Sequence, residues 1–174
     1  MRLHFLAGLA FLTAQTASAS TAITDFGAMA QLQGDEQRPD AKLRYRTVFS
    51  VTKAAGSPDQ VNPSLDTVAR FVNLLAREGI RPKRGDIVAV VSGPATPAVS
   101  GAQAYAARFN GAANPNLALI KELQKAGVTV AVCSQALAGN KIAHDQLAPS
   151  VRIDLSAITT LAMLQLKGWA LITD

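Results

Sequence analysis

The chain has 174 residues, with 17 Lys and Arg against 12 Asp and Glu and a formal net charge of +5. The charges are spread along the sequence and aromatic residues make up only 5%, so nothing in the composition indicates nucleic-acid binding. The nearest approach to a basic cluster is Arg77, Arg81, Lys83 and Arg84, which is typical of a helix carboxyl end because cations there interact favourably with the helix dipole. The single cysteine, Cys133, excludes an intramolecular disulfide.

The first 19 residues have the pattern of a cleaved export signal. An apolar run over residues 3–12 is followed by Ala17-Ser18-Ala19, whose small side chains are typical of a cleavage site. A run of about ten apolar residues is too short for a membrane span, which needs roughly 20. We therefore predict a signal peptide over residues 1–19 and a mature periplasmic protein that begins at Ser20 and is not inserted in the membrane.

The part of the chain after the signal peptide begins with a polar segment. Residues 20–43 mix charged residues with Gly and Pro, which predicts an irregular N-terminal arm ahead of one domain over residues 44–174. A strand is predicted over residues 45–52. Asn62 and Pro63 are suited to a helix cap and a first helical turn, and apolar residues at three- and four-residue spacing continue this helix to Gly79.

Four more strands and their helices are predicted along the rest of the domain. The strands are 86–92, 128–133, 151–155 and 169–173; the helices are 100–109, 117–126 with Asn116 as its cap, and 157–167 with Ser156 as its cap. Residues 92–97 are predicted to form a rigid loop, and residues 135–150 to be the least regular stretch, with a helical turn near Leu137. Strands separated by helices favour parallel pairing. The predicted fold class is α/β, a three-layer α/β/α sandwich with a mainly parallel five-stranded sheet.

Cys133 is the main candidate for chemistry because it ends an apolar strand and precedes the polar pair Ser134-Gln135. The carboxyl ends of parallel strands form the rim at which α/β proteins usually bind ligands. Free cysteines are often buried and behave as small hydrophobic residues. Backbone amides from Ser134 onward, however, would stabilise a thiolate if they begin a helical turn. From these residues alone, a reactive role and a structural role for the Cys133 thiol are equally well supported.

Other catalytic motifs are not found. His144-Asp145 has the residue types to orient a base toward Cys133, although an exposed turn is the commoner role of such a pair. No metal site is predicted, because His144 and Cys133 are the only histidine and cysteine left after the predicted cleavage. No cofactor is predicted, because no phosphate-binding loop or G-x-G-x-x-G motif is present, and the sequence around Ser92 departs from the serine nucleophile turn.

Several segments resemble an exported branch of the DsrE/DsrF-like family, and the resemblance covers the chain from about Thr47 to its last residues. They are residues 62–74 (NPSLDTVARFVNL), 90–96 (VVSGPAT), 122–135 (ELQKAGVTVAVCSQ), Asn140-Lys141, and 157–172. The resemblance implies a parallel α/β sandwich that assembles into homotrimers or homohexamers, with Cys133 in a crevice near the subunit contacts. In cytoplasmic relatives of this family, a cysteine at this point carries sulfur as a persulfide.

The function that the resemblance implies is that of a periplasmic sulfur carrier or sulfurtransferase, with Cys133 as the catalytic residue and a small sulfur-containing donor or a thiol protein as its partner. The residues implied to bind the donor are Ser134 and Gln135 beside the sulfur, Ser92, Gly93 and Thr96 on the opposite wall, and Asn140 and Lys141 toward an anionic group. Exported relatives often have His at the position of Ser92 and Gly at that of Ser134. The rival functions are a non-catalytic homo-oligomeric protein that binds a small ligand, and a thiol redox sensor.

Overall fold

The computed structural model describes residues 22–30, 34 and 37–174, so the predicted signal peptide lies outside the described residues. The strands are β1 Thr47–Val51, β2 Ile87–Val91, β3 Thr129–Cys133, β4 Arg152–Asp154 and β5 Ala170–Thr173. The α-helices are α1 Pro63–Arg77, α2 Ala102–Arg108, α3 Asn116–Lys125, α4 Ser134–Asn140 and α5 Ala157–Leu166, with short 3-10 helices at Gly93–Val99 and His144–Gln146. In these described ranges, no helix combines the length and the apolar character that crossing a bilayer requires.

The five strands form one parallel sheet in the order β4-β3-β2-β1-β5. The chain adds β2, β3 and β4 in turn on one side of β1 and then returns to place β5 on the other side. Every residue of β2 is buried, as its continuous apolar sequence predicts for a strand covered on both faces. The carboxyl ends of β2, β3 and β4 are therefore neighbours at one edge of the sheet.

Helices cover the two faces of the sheet unequally, which confirms the predicted α/β/α sandwich. On one face α1 and α3 pack over a large core that contains Val132 of β3. On the other face α5 covers a small core that contains Cys133 and Val90. Successive side chains of a strand point to opposite faces, so Cys133 and its neighbour Val132 belong to different cores.

The predicted cap of α1 is confirmed, but that of α3 is wrong. Asn62 Oδ1 accepts the backbone N–H groups of Ser64 at 3.0 Å and Leu65 at 3.1 Å, as helix caps do. Helix α3 begins at Asn116 itself, whose backbone N–H donates to Asn114 Oδ1 at 2.9 Å. The Asn116 Oδ1 atom instead accepts the N–H of Asn62 at 2.7 Å, which ties the starts of α1 and α3 together.

Two stretches predicted as loops are more regular than expected. Residues 92–97 were predicted to be a loop, but Gly93–Val99 form a 3-10 helix, because the prolines that remove N–H donors also hold φ near the helical value. Helix α4 starts directly after β3 and is longer than the predicted turn, with Leu137 buried beneath it.

Ser156 occupies the predicted cap position of α5, but its side chain makes no capping hydrogen bond.

The N-terminal arm contacts α1 through residues 22–30, which form neither a helix nor a strand. Ile23 is 1% exposed, and its N–H donates to Asn73 Oδ1 at 2.8 Å. Asn73 Nδ2 in turn donates to the carbonyl groups of Ile23 at 2.9 Å, Phe26 at 3.0 Å and Gly27 at 3.2 Å. One buried amide side chain therefore satisfies four backbone polar groups of this segment, as burial requires.

Gly27 lets the arm approach α1 closely. Its φ is +66°, and a Cβ atom at this position would lie 2.2 Å from the backbone nitrogen of Arg70.

We expect Gly27→Ala to detach residues 22–28 and to expose the Ile23 amide, which hydrogen exchange would detect. Gly79→Ala is the matched control, because Gly79 has a φ of +74° with nothing within 4 Å, so it should cost only about 1–2 kcal/mol of backbone strain. Unchanged protection of the Ile23 amide in Gly27→Ala would contradict this account.

Candidate functional site

Cys133 is the last residue of β3 and lies directly before α4. Its side chain is 5% exposed and belongs to the small core under α5, where it clusters with Val48, Val88, Val90, Ala157 and Leu164. The helical turn expected after Cys133 is present, but the cysteine side chain makes no capping hydrogen bond to it. The Cys133 side chain therefore lies in the apolar cluster at the carboxyl end of β3, on the residue that precedes α4.

The edge strand next to Cys133 supplies a carboxylate that is already paired. Asp154 is the register partner of Cys133 on β4. Its carboxylate accepts two hydrogen bonds from Arg152, at 2.7 and 2.9 Å, and one from the Thr160 hydroxyl at 3.0 Å. The negative charge beside the thiol is thus balanced, and the same carboxylate attaches α5 to the sheet edge.

The predicted wall opposite Cys133 follows β2, the neighbouring strand. Ser92 is half-buried and Gly93 is exposed, so both are placed at the rim as predicted. Thr96 is fully buried, and its hydroxyl donates to the Gly93 carbonyl at 2.7 Å. The prediction that Thr96 lines the crevice is therefore not met: its side chain points inward because its hydroxyl closes the turn that carries Gly93.

Asn140 connects the two walls of this rim. Its Nδ2 atom donates to the carbonyl of Ala136 at 2.9 Å and, more weakly, to that of Gly93 at 3.5 Å. Arg108 donates to its backbone carbonyl at 2.9 Å and to its Oδ1 atom at 3.4 Å. With both ends of its amide engaged, Asn140 is suited to positioning the walls and not to holding a donor.

The remaining predicted residues lie on α4 and in the turn that follows it. Ser134 is half-buried and Gln135 is exposed on the first turn of α4, while Lys141 is exposed and ends this helix in the left-handed conformation with φ 56°. His144 and Asp145 are exposed in the second 3-10 helix, as expected for a turn. Across the described residues, no group of three or more His, Cys, Asp and Glu side chains is arranged to hold a metal ion.

A cavity of about 170 Å³ lies near this rim but does not include Cys133. Ala54, Pro58, Pro94, Ala98, Tyr105 and Phe109 contribute to its lining. The Tyr105 hydroxyl donates to the carbonyl of Pro58 at 2.7 Å, and the Tyr105 and Phe109 ring centroids are 4.5 Å apart. The cavity is mainly apolar, so it is suited to a small apolar ligand.

The domain matches the model of the DsrE/DsrF-like family over residues 46–173, a range that includes all five strands and Cys133. The chain belongs to the DsrE/DsrF-like family. Membership confirms the family resemblance seen in the sequence. No curated protein sequence matches the chain.

The solved structures that are similar to this DsrE/DsrF-like domain include the following two. The protein of unknown function MTH1491 from Methanobacterium thermoautotrophicum has 22% identity and a TM-score of 0.55, with 75% of this chain and 99% of that chain covered. The ychN protein from E. coli has 17% identity and a TM-score of 0.52, with the same coverage of each chain. At these identities the likeness supports the fold.

The Asp174 carboxylate, which no sequence pattern identifies, ties the end of β5 to the segment after β1 and to the start of α1. Asp174 follows β5, the edge strand that pairs with β1. Here the Asp174 carboxylate accepts hydrogen bonds from Thr52 N and Oγ1 at 2.7 Å, Lys53 N at 2.9 Å and Ser64 Oγ at 2.6 Å. Sequence separations above 100 residues leave no local pattern that would reveal this contact.

Protonation of Asp174 should weaken the fold. Burial alone would raise its pKa, but the hydrogen bonds from Ser64, Lys53 and Thr52 outweigh this effect and hold the pKa well below its usual range. Because the pKa of Asp174 is lower in the folded than in the unfolded state, its ionised form stabilises the fold at pH values above the unfolded-state pKa near 3.9. This stabilisation is lost as the pH falls toward the folded-state pKa. We expect Asp174→Asn to lower the free energy of unfolding at pH 7 by about 1–2 kcal/mol and to reduce its decline between pH 5 and 2. Urea unfolding across this range measures both effects, and an unchanged pH profile would contradict the assignment.

Proposed function

We propose that this DsrE/DsrF-like protein is an exported, periplasmic sulfur carrier in which Cys133 holds a persulfide between a donor and an acceptor. The observation that carries the proposal is the position of Cys133 within the family domain. It ends β3 at the edge where β2 and β4 also end. Persulfide transfer needs a thiol at an accessible rim and no metal or organic cofactor.

The proposed reaction has two balanced steps. The Cys133 thiolate attacks the sulfane sulfur of a donor, a new S–S bond forms, and the donor's own S–S bond breaks with its electron pair on the leaving group. With thiosulfate the leaving group is sulfite; with a persulfide it is a thiolate. An acceptor thiolate then attacks the outer sulfur of the Cys133 persulfide and releases the Cys133 thiolate, so no external oxidant or reductant is consumed.

The surrounding residues support distinct parts of this proposal. In this proposal the backbone amides of Ser134 and Gln135, which follow Cys133 at the start of α4, stabilise the thiolate. Ser92 and Gly93, which follow β2 beside Cys133, form the facing wall. Lys141 is exposed at the carboxyl end of α4, and its charge would attract an anionic donor toward this side of the domain. Because Cys133 is only 5% exposed, the proposal favours donors with a narrow sulfane end over bulky disulfides.

A second candidate function is non-catalytic binding of a small ligand, with Cys133 as a packing residue. Its support is the burial of Cys133 in an apolar cluster and the separate cavity beside Tyr105 and Phe109. In that case the thiol would neither load sulfur nor affect ligand binding. A thiol redox sensor would differ again, because oxidation would add oxygen and not sulfur to Cys133.

Intact-protein mass spectrometry distinguishes these functions. We expect incubation with thiosulfate, polysulfide or glutathione persulfide to add one sulfur atom, and dithiothreitol to remove it. Cys133→Ala is the better control than Cys133→Ser, because a buried hydroxyl without a partner costs about 1–3 kcal/mol. Loading in Cys133→Ala, or an unreactive wild-type thiol with all three donors, would exclude the carrier.

Homotrimer or homohexamer assembly is the second part of the proposal, and the surface of α5 supports it. This helix contains no charged residue, and an α-helix that is apolar on all sides is normally covered. Here Leu166 is 89% exposed and Ile158 79% exposed, and Leu155 beside the helix is 73% exposed. Exposed apolar side chains of this size on one surface indicate an interface between copies of the chain.

Two substitutions test this interface. We expect the wild-type protein to be trimeric or hexameric by light scattering, and Ile158→Glu with Leu166→Glu to be monomeric, because charges would be buried without partners. Lys121→Glu, on the exposed surface of α3, should leave the assembly intact. A wild-type monomer, or double-variant oligomers of unchanged size, would contradict the proposed interface.

A further inference from the structure

A concave surface with several cations lies at the end of the sheet opposite to Cys133. Residues 41–45, which lead into β1, and residues 79–83, which follow α1, enclose a groove of about 330 Å³ together with Asp86. We call this surface the basic groove. Its position at the amino ends of β1 and β2 separates it from the rim that carries Cys133.

The cations of the basic groove exceed its acids. Asp86 is the one carboxylate in the described lining, and it is 3% exposed. The Arg44 guanidinium donates to both of its oxygens at 2.7–3.2 Å, and the Lys83 backbone N–H donates to Oδ2 at 3.1 Å. Since Arg44 balances Asp86, the exposed side chains of Lys42, Arg81 and Lys83 leave the groove with an excess of positive charge.

The helix dipole does not account for these cations. Helix α1 ends at Arg77, and the dipole acts within the last turn of a helix. Arg81 and Lys83 lie beyond that turn, on the segment that leads into β2. The helix-end interpretation of the basic cluster therefore applies to Arg77, and also to Arg84, whose guanidinium donates to the carbonyl of Gln124 in the last turn of α3 at 3.3 Å. The other two cations, Arg81 and Lys83, line the groove.

Hydrogen bonds hold the two sides of the groove in place. On one side, the Asp40 N–H donates to the Tyr45 hydroxyl at 2.7 Å, and the Lys42 N–H donates to Asp40 Oδ1 at 2.9 Å. On the other side, the Asp86 N–H donates to the Lys83 carbonyl at 2.9 Å. Because Asp86 also binds Arg44, it joins the two sides, and a ligand would not have to order them.

The basic groove also has an apolar surface. Leu43 is 60% exposed between the cationic residues Lys42 and Arg44, and it lines the groove with Ile80 and Pro82. We propose that the basic groove binds an extended acidic segment of a partner protein, with an apolar side chain of that segment against Leu43 and Pro82 and its carboxylates near the three exposed cations. A concave site with an apolar lining favours an entering chain over a flat lipid surface.

Fluorescence anisotropy with a labelled peptide of Glu and Asp around one central Leu tests this inference on the full mature chain. Lys42→Glu, Arg81→Glu and Lys83→Glu should each weaken binding by about 5- to 30-fold, since a favourable surface pair becomes a repulsive one. Lys121→Glu, which changes the net charge equally on α3, should leave affinity unchanged. Leu43→Ser should weaken binding of this peptide by about threefold or more, with no effect on a peptide whose Leu is replaced by Ser.

Three results would overturn the inference: equal weakening by Lys121→Glu, absence of binding at millimolar peptide, or tighter binding of anionic phosphatidylglycerol vesicles than of the peptide. Sulfur loading of Cys133 in the same groove variants separates the two proposals. We expect loading to be unchanged, because the groove and Cys133 lie at opposite ends of the sheet. If a groove variant lost both sulfur loading and peptide binding, the result would show a general defect of folding and would also overturn the assignment of the groove.

Discussion

The parallel register of β2, β3 and β4 is the constraint on which the site depends. Val91 is level with Val132, and Cys133 is level with Asp154, so three successive strands end together. This register places Ser92 and Gly93 beside the cysteine although some 40 residues separate them in sequence. A shift of one residue in β3 would move Cys133 to the opposite face, into the large core under α1 and α3.

The face that Cys133 occupies connects its chemistry to assembly. Helix α5 covers the small core, with a contribution from Ala136 of α4, and the outer surface of α5 carries exposed apolar side chains. If copies of the chain meet on α5, the contact lies directly above the helix that buries Cys133. Access of a sulfur donor and association of subunits would then depend on the same helix.

Much of the fold was predictable because local patterns and tertiary structure agree. The apolar spacing in α1 and the Asn62-Pro63 start identified that helix closely, and the continuous apolar sequence of β2 identified a central strand. Helix α4 is longer than its sequence predicts because Ser, Gly and Asn residues have weak helix preference, whereas burial of Leu137 stabilises the helix. Asn114 and Asn116 are both suited to capping, and tertiary contacts decide between them.

The candidate site was predictable in its position and less so in its details. Strand ends indicated Cys133, Ser92 and Gly93, but whether Thr96 points inward depends on a hydrogen bond that no local pattern reveals. The positioning role of Asn140 depends on Arg108, 32 residues away. Asp174 and Asp86 likewise bind residues that are distant in sequence, so local patterns do not reveal their contacts.

The most direct test of the central claim is transfer of sulfur from the protein, beyond its uptake. Cys133 would be loaded with radiolabelled sulfane sulfur, freed of donor, and mixed with an excess of a thiol acceptor such as glutathione in a single turnover. The account predicts that the label leaves the protein and appears on the acceptor as a persulfide, with Cys133 regenerated as a thiol. Label that stays on Cys133, or leaves at a rate independent of acceptor concentration, would contradict a carrier function.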